Sequence, residues 1–259
     1  MATERGNDSR RLDQALVERG LAESRQKAQA LIMAGVVRLD GHPAVKPGRL
    51  VGASAELAVE RAPRFVGRGG EKLDHALEYF RLDVAGLICL DVGASTGGFT
   101  DCLLKRGAAR VYAIDVGRGQ LHWRLRNDPR VVVMEGVNAR HIQPGLFDVR
   151  PELAAVDVSF ISLSKVLPAV DRALADGAHI MALIKPQFEA GRRQVGKGGV
   201  VRDAAVRAEV VASVQRFAEK DLGWTRLGLC ESPLRGPAGN IEYLGCWQKP
   251  HHAPAGGNR

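Results

Sequence analysis

Leu87-Ile-Cys89-Leu-Asp91-Val-Gly93-Ala-Ser95-Thr-Gly97-Gly98-Phe99-Thr-Asp101 decides how this chain is read. An apolar run closes on an acid, a glycine-rich turn follows, and a helical pattern then runs through Arg106. Glycines in such a turn let a ligand approach the backbone, and the helix start offers N–H groups with no intrahelical partner. Further short apolar runs lie at Val111–Asp115, Val131–Glu135, Leu153–Asp157 and Ile180–Ile184. Before them, Glu71 to Phe80 reads as a helix with Leu73, Ala76, Leu77 and Phe80 on one face. Strand runs alternating with helical segments predict an α/β fold, a Rossmann-like and mostly parallel sheet with helices on both faces. The late run Glu242 to Trp247 fits an antiparallel last strand, whose start would share an edge with the other strands' ends.

The turn points to a nucleotide-like cofactor. Asp91, Gly93, Ala94, Ser95, Thr96, Gly97, Gly98 and Phe99 are the candidate cofactor-binding residues. Asp115, at the end of the next strand, is an acid of the kind that accepts hydrogen bonds from a ribose. Gly-x-Gly-x-x-Gly spacing is absent, since the glycines fall at 93, 97 and 98. S-adenosylmethionine has no pyrophosphate to cradle and tolerates this looser pattern, so it is favoured over a dinucleotide. Gly93-Ala-Ser95-Thr-Gly97 also matches the Gly-x-Ser-x-Gly elbow of esterases. That reading needs more strands upstream and a convincing histidine; His141 and His179 are poor partners, and His251 and His252 fall in an apparent tail.

Composition narrows the class. The chain has 259 residues, 45% apolar and 25% charged, enough for one full domain and a small one. No apolar run is long enough to span a bilayer and no secretory leader is evident, so a cytoplasmic protein is expected, with no membrane partner. Four cysteines lack Cys-x-x-Cys spacing and read as reduced, buried thiols. No metal-ligand cluster is visible, so no metal is expected. The formal charge of +8 favours a polyanionic partner, nucleic acid above all.

Residues 1–9 and 250–259 read as disordered tails, and 10–60 as a small α+β unit. Leu12, Leu16 and Val17 form one short helical face. Ser24 caps a second helix with Ala28, Leu31 and Ile32 inward and Gly35 as its stop. Val36 to Leu39 is a strand turning at Asp40-Gly41, a strong hairpin signal. Arg10, Arg11, Arg25, Lys27, Arg38 and Lys46 decorate this unit, and Arg25 and Lys27 occupy a helix first turn, where free N–H groups favour phosphate. Residues 61–70 read as a linker containing Arg68, and 71–249 as the larger domain. Gly191 to Gly199 carries Arg192, Arg193 and Lys197 among glycines and suits a lid that meets phosphate.

Four charged residues complete the reading. Asp157 and Lys185 each end an apolar run, Lys72 opens a helix, and Glu242 opens the last strand. Ligands of open parallel sheets sit at the strands' carboxyl ends, so these side chains have one edge in common. A free lysine, with a pKa of about 10.4, is protonated at neutral pH; a neighbouring ammonium and partial desolvation lower that value. Such a group suits proton abstraction from a ribose 2′-hydroxyl.

The N-terminal pattern Arg11-Leu12-Asp13, Leu21, Ser24-Arg25, Ala28, Ile32, Gly35-Val36-Val37 and Asp40-Gly41 resembles the RNA-binding fold of the ribosomal protein S-four type. Lys72, Asp157, Lys185 and Glu242 are similar to the Lys-Asp-Lys-Glu tetrad of FtsJ-like RNA 2′-O-methyltransferases. Together with Arg68-Gly-Gly-Glu-Lys72, Asp157-Val-Ser-Phe-Ile-Ser162, Lys185-Pro-Gln-Phe-Glu189 and Gly239-Asn-Ile-Glu242, these features resemble the TlyA family from about Arg10 to Trp247. The resemblance implies S-adenosylmethionine-dependent cytidine 2′-O-methylation of ribosomal RNA. It implies Lys185 as base, Asp157 and Lys72 tuning it, and Glu242 completing the set. One departure is Phe65-Val66, where the family linker often has Trp or Tyr before the valine. The family has also carried a haemolysin label; a membrane-active protein and a non-catalytic RNA-binding assembly factor are the alternative functions.

Overall fold

The computed structural model describes residues 9–33, 35–44, 46–60 and 64–251. Most of both expected disordered tails, and residues 61–63 of the expected linker, lie outside the described residues. The chain divides into two compact units, residues 1–64 and 65–259.

In the first unit, β1 (Arg10–Arg11) pairs antiparallel with β4 (Leu50–Val51), and two helices, α1 (Leu12–Glu18) and α2 (Arg25–Met33), lie between them in sequence. Strand β2 (Val37–Leu39) pairs with both β3 (His42–Pro43) and β5 (Leu57–Val59). The β2–β3 turn has Asp40 at φ 51 and Gly41 at φ 78, the left-handed pair that the Asp-Gly signal demands. Leu12, Leu16, Ala28, Ile32 and Val37 are fully buried and form the core of this small unit.

The second unit opens with α3 (Gly69–Tyr79), followed by β6 (Ile88–Val92), α4 (Gly98–Lys105), β7 (Arg110–Asp115), the short α5 (Trp123–Arg126) and β8 (Val131–Glu135). Then come β9 (Leu153–Val156), α6 (Leu167–Ala173), β10 (His179–Ile184), α7 (Pro186–Glu189), α8 (Ala204–Lys220), β11 (Thr225–Glu231) and β12 (Tyr243–Gln248). Seven strands form one sheet in the order β11-β12-β10-β9-β6-β7-β8, with β12 antiparallel to both neighbours. The last strand, β12, is antiparallel as expected, and β11, which has no clear apolar run, pairs along its outer side. Within the span expected as a linker, Phe65 is buried in the second unit's core and α3 begins at Gly69.

Alternation along the central strands builds two cores. Leu90, Val92, Ala154, Val156, Ile180 and Ala182 pack on one face with α6 and α8. Cys89, Leu153, Ala155, Met181, Leu183, Leu244 and Cys246 pack on the other with α3 and α4. Period-two alternation then carries Asp157, Lys185 and Glu242, each one step past a strand end, onto the face covered by α3.

Candidate active site

The first strand, β6, lies between β7 and β9, so the chain reverses direction across the sheet at β6/β9. Ligand crevices form at such switch points, outside the strands' carboxyl ends. There the structure has a cavity of about 840 Å³, lined by Gly93, Ser95, Asp115, Asn138, Asp157 and Phe160 among others.

The glycine turn fits this place through close approaches. Gly93 has φ 88, and a Cβ there would come within 2.3 Å of the Asp157 carbonyl oxygen. Gly97 has φ 97 and packs against Leu121 and Leu125. Gly98 faces Gly67, Gly69 and Gly70, where a Cβ would meet the Gly70 nitrogen at 2.9 Å. Ser95, at φ 49, donates its N–H to Asp115 Oδ2 at 2.8 Å, while Asp115 Oδ1 accepts from Gly117 N–H at 2.7 Å.

Not every residue expected to bind the cofactor lines the cavity. Gly93, Ser95 and Asp115 do, whereas Ala94, Gly97, Gly98 and Phe99 are buried behind the turn and Thr96 faces Gly67. These five shape the turn because its backbone must thread between α3 and the Leu121–Leu125 segment. Asp91 is completely buried beneath it, and its Oδ2 accepts from Thr100 N–H at 2.9 Å and Thr100 Oγ1 at 2.6 Å. Burial, assisted by the neighbouring acids Asp157 and Asp115, pushes its carboxyl up to about 7, against the opposing Thr100 hydrogen bonds. Asp91 thus anchors the start of α4. The expected site residues did not include Gln120, Asn138, Phe160 and Phe188 on the cavity wall, although Phe160 and Phe188 fall inside the Asp157–Ser162 and Lys185–Glu189 motifs.

The four charged residues form two ion pairs on neighbouring elements. Lys185 Nζ lies 2.5 Å from Asp157 Oδ1 and donates to Ser159 Oγ at 2.8 Å. Lys72 Nζ lies 2.5 Å from Glu242 Oε2. Ile184 pairs with Tyr243, so the antiparallel register continued by one residue sets Lys185 against Glu242. Gly69, one turn before Lys72, approaches Asp157 so closely that a Cβ would lie 3.7 Å from Oδ2. Lys72, Lys185 and Glu242 are buried, and Asp157 is partly open to the cavity. The solvated lysine and exposed strand end that single residues would suggest are both absent here.

Around this cluster, Glu189 accepts from Ser162 Oγ at 2.6 Å and Leu163 N–H at 2.7 Å, fastening the loop after Asp157 to α7. Burial raises the pKa of this carboxyl. Phe160 is 90% exposed at φ 63, a costly backbone state for a bulky residue, and its ring rests 4.9 Å from that of Phe188. Asn240, 1% exposed, donates to Gly199 O at 2.8 Å and accepts from Val201 N–H at 2.9 Å. It thereby clips the end of the basic glycine loop to the segment leading into Glu242. Arg192, Arg193 and Lys197 on that loop are exposed. Arg68 instead holds the Arg235 carbonyl at 2.9 Å.

In the first unit the start of α2 already has local hydrogen-bond partners. Ser24 Oγ already accepts the Lys27 N–H, and Arg25 Nε is bound to the buried Asp13 at 3.0 Å. Arg11 and Gln29 reach the same carboxylate, whose pKa the Arg11 hydrogen bond holds well below the usual range. Arg38 pairs with Glu60 at 2.7 Å and Arg10 with Glu18 at 3.5 Å. These four cations are therefore oriented by acids of the same unit.

Residues 65–249 match the FtsJ-like methyltransferase family and residues 10–57 match the S4 domain, which makes the second unit a methyltransferase of the FtsJ-like class. Relatives narrow this further. The 16S/23S rRNA (cytidine-2′-O)-methyltransferase TlyA of Mycobacterium tuberculosis is 55% identical over 90% of this chain and 88% of its own length. Hemolysin A of Brachyspira hyodysenteriae is 43% identical over 90% of this chain and 98% of its own. A solved structure described as a hemolysin from Streptococcus thermophilus superposes with a TM-score of 0.73 at 43% identity, covering 96% of this chain and 92% of that one. The chain belongs to the TlyA family of FtsJ-like methyltransferases. No helix among the described residues is long and apolar enough to cross a membrane.

Proposed function

We propose that this protein transfers a methyl group from S-adenosylmethionine to the 2′-oxygen of a cytidine in ribosomal RNA, with residues 10–60 serving RNA binding and 71–249 the chemistry. One observation carries the reading: Lys185 Nζ is held by Asp157 and Ser159, both of which line the cavity, and the Lys72–Glu242 pair lies on the neighbouring elements. The substrate assignment follows the name of the 55% identical Mycobacterium tuberculosis relative.

The residues present fit the cofactor. The cavity is of a size usual for ligand sites, at about 840 Å³. Asp115 keeps acceptor capacity beyond its two backbone bonds, which suits ribose hydroxyls. Gly93, on the cavity wall, is kept bare by its close approach to the Asp157 carbonyl. When bound, S-adenosylmethionine supplies an electrophilic methyl on a sulfonium. In its neutral amine form Lys185 would accept the 2′-hydroxyl proton and become the ammonium that Asp157 then neutralises, and Asp157 and Ser159 fix the direction of its Nζ. Lys72 and Glu242 neutralise each other while keeping a second cation beside the reacting oxygen. The exposed Phe160 ring offers a face to the base of the target nucleotide.

Methyl transfer from labelled cofactor to ribosomal RNA, wild type against Lys185→Ala, tests the proposal. The expected loss is about 10²–10⁴-fold with cofactor binding retained. Equal methylation by both proteins would remove Lys185 from its role. The haemolysin reading predicts lysis of liposomes by pure protein independent of Lys185; the assembly-factor reading predicts RNA binding without transfer.

A further inference from the structure

We infer that a second aromatic platform, centred on Trp123, stacks an unpaired nucleotide of the RNA substrate outside the reaction cavity; this rests on the RNA-methylating reading above. Trp123 is 65% exposed, although an indole normally buries its large apolar surface. The His122 ring lies stacked 6.0 Å from it at 27°, and the Arg124 guanidinium sits 5.6 Å from its ring centroid.

The platform is rigid and tied to the cofactor turn. His122 donates its N–H to Thr96 O at 3.1 Å, and its Nδ1 accepts from Arg124 N–H at 3.2 Å. Asn127 Nδ2 donates to the Trp123 carbonyl at 2.7 Å. Leu121 and Leu125, on either side in sequence, are buried against Gly97. The ring is thus held out by a braced backbone. Val116 and Gln120, earlier in the same segment, line the cavity, so the strip runs from its wall to Trp123.

Charge selects the occupant. Arg118 and Arg124 have no carboxylate partner among the described residues, while the acids nearby are engaged: Glu135 by Arg126, Asp128 by Arg130. An exposed aromatic ring with the Arg124 guanidinium against it fits a polyanion with planar bases, that is, single-stranded RNA. Stacking of this kind reads no particular base.

The test uses intrinsic fluorescence of the full chain. It has three tryptophans, and Trp224 and Trp247 are 2% and 0% exposed, so iodide-accessible emission reports Trp123. Adding an oligocytidylate of about eight nucleotides should quench that emission and shield it from iodide. Trp123→Ala should weaken the oligonucleotide about tenfold, Trp123→Phe should retain most of the affinity, and S-adenosylhomocysteine should bind all three proteins alike. Equal RNA affinity in Trp123→Ala, or RNA bound with the emission unchanged, overturns the platform alone. Failure of wild type to bind the oligonucleotide overturns the platform and the RNA reading together. Shielding that tracks protein concentration without RNA makes the strip a self-association face and overturns the proposal.

Discussion

Lys72 and Glu242, 170 residues apart, form a 2.5 Å ion pair in which neither side chain is more than 8% exposed. Water cannot compensate either charge if its partner is lost. Among the described residues Glu242 Oε1 has no hydrogen-bond partner, and it lies against Gly236. Lys72→Ala or Glu242→Ala should therefore cost about 3–5 kcal/mol of stability. Lys72→Met combined with Glu242→Leu should recover most of that loss in thermal unfolding while methyl transfer stays absent. A double variant as unstable as either single one would refute the idea that stability and activity separate here.

Asp91 should leave a signature in the pH dependence of stability. Its carboxyl titrates near 7 in the fold, raised from the ordinary carboxylate value chiefly by complete burial. The folded state therefore holds a proton that the unfolded chain releases near pH 4. Its stabilising contribution is full below that value and falls by about 1.4 kcal/mol per pH unit until the folded group titrates near 7. Asp91→Asn keeps an acceptor for Thr100 and removes the titration. Urea midpoints should then decline less between pH 5 and pH 8 than in wild type; parallel declines would disprove the assignment.

Removing the Asn240 side chain should free the basic loop. Two backbone groups lose their partner, at about 1–3 kcal/mol. Trypsin should cut after Arg193 and Lys197 faster in Asn240→Ala, and kcat should fall with cofactor affinity within about twofold, since Asn240 does not line the cavity. Unchanged proteolysis and kcat would mean that the clip is incidental.

Deletion of residues 1–60 should weaken RNA binding and flatten its dependence on salt, because Arg10, Arg11, Arg25, Lys27 and Arg38 leave with it. Calorimetry with S-adenosylhomocysteine should give an unchanged cofactor affinity, since the cavity lies wholly within the second unit. Unaltered RNA affinity in the truncated protein would refute the assignment of the first unit.

Much of the fold was legible because its strands are buried on both faces and read as unbroken apolar runs. Strands β6 to β10 fall within two residues of expectation. Strand β11 escaped because an edge strand, exposed along most of its length, carries no such run. Helix α8 escaped for a related reason: only four of its 17 residues are buried, so its apolar stripe is thin. The roles of Arg11 and Arg25 were half legible. Their charge was visible, but Asp13, which orients both, reads in sequence as an ordinary helix-start acid.

By itself, the sequence determined the kinds of residue at the strand ends and, through two-residue alternation, that Asp157 and Lys185 continue the same face as Leu153, Ala155, Met181 and Leu183. Local chemistry also decided the Asp40-Gly41 turn and the glycine turn, because each depends on backbone angles that few residues adopt. Tertiary structure alone decided that α3 covers that face, that β12 enters beside β10 with Tyr243 opposite Ile184, and that Lys72 therefore meets Glu242. Strand order and register arise from packing between distant segments, and no local preference encodes them.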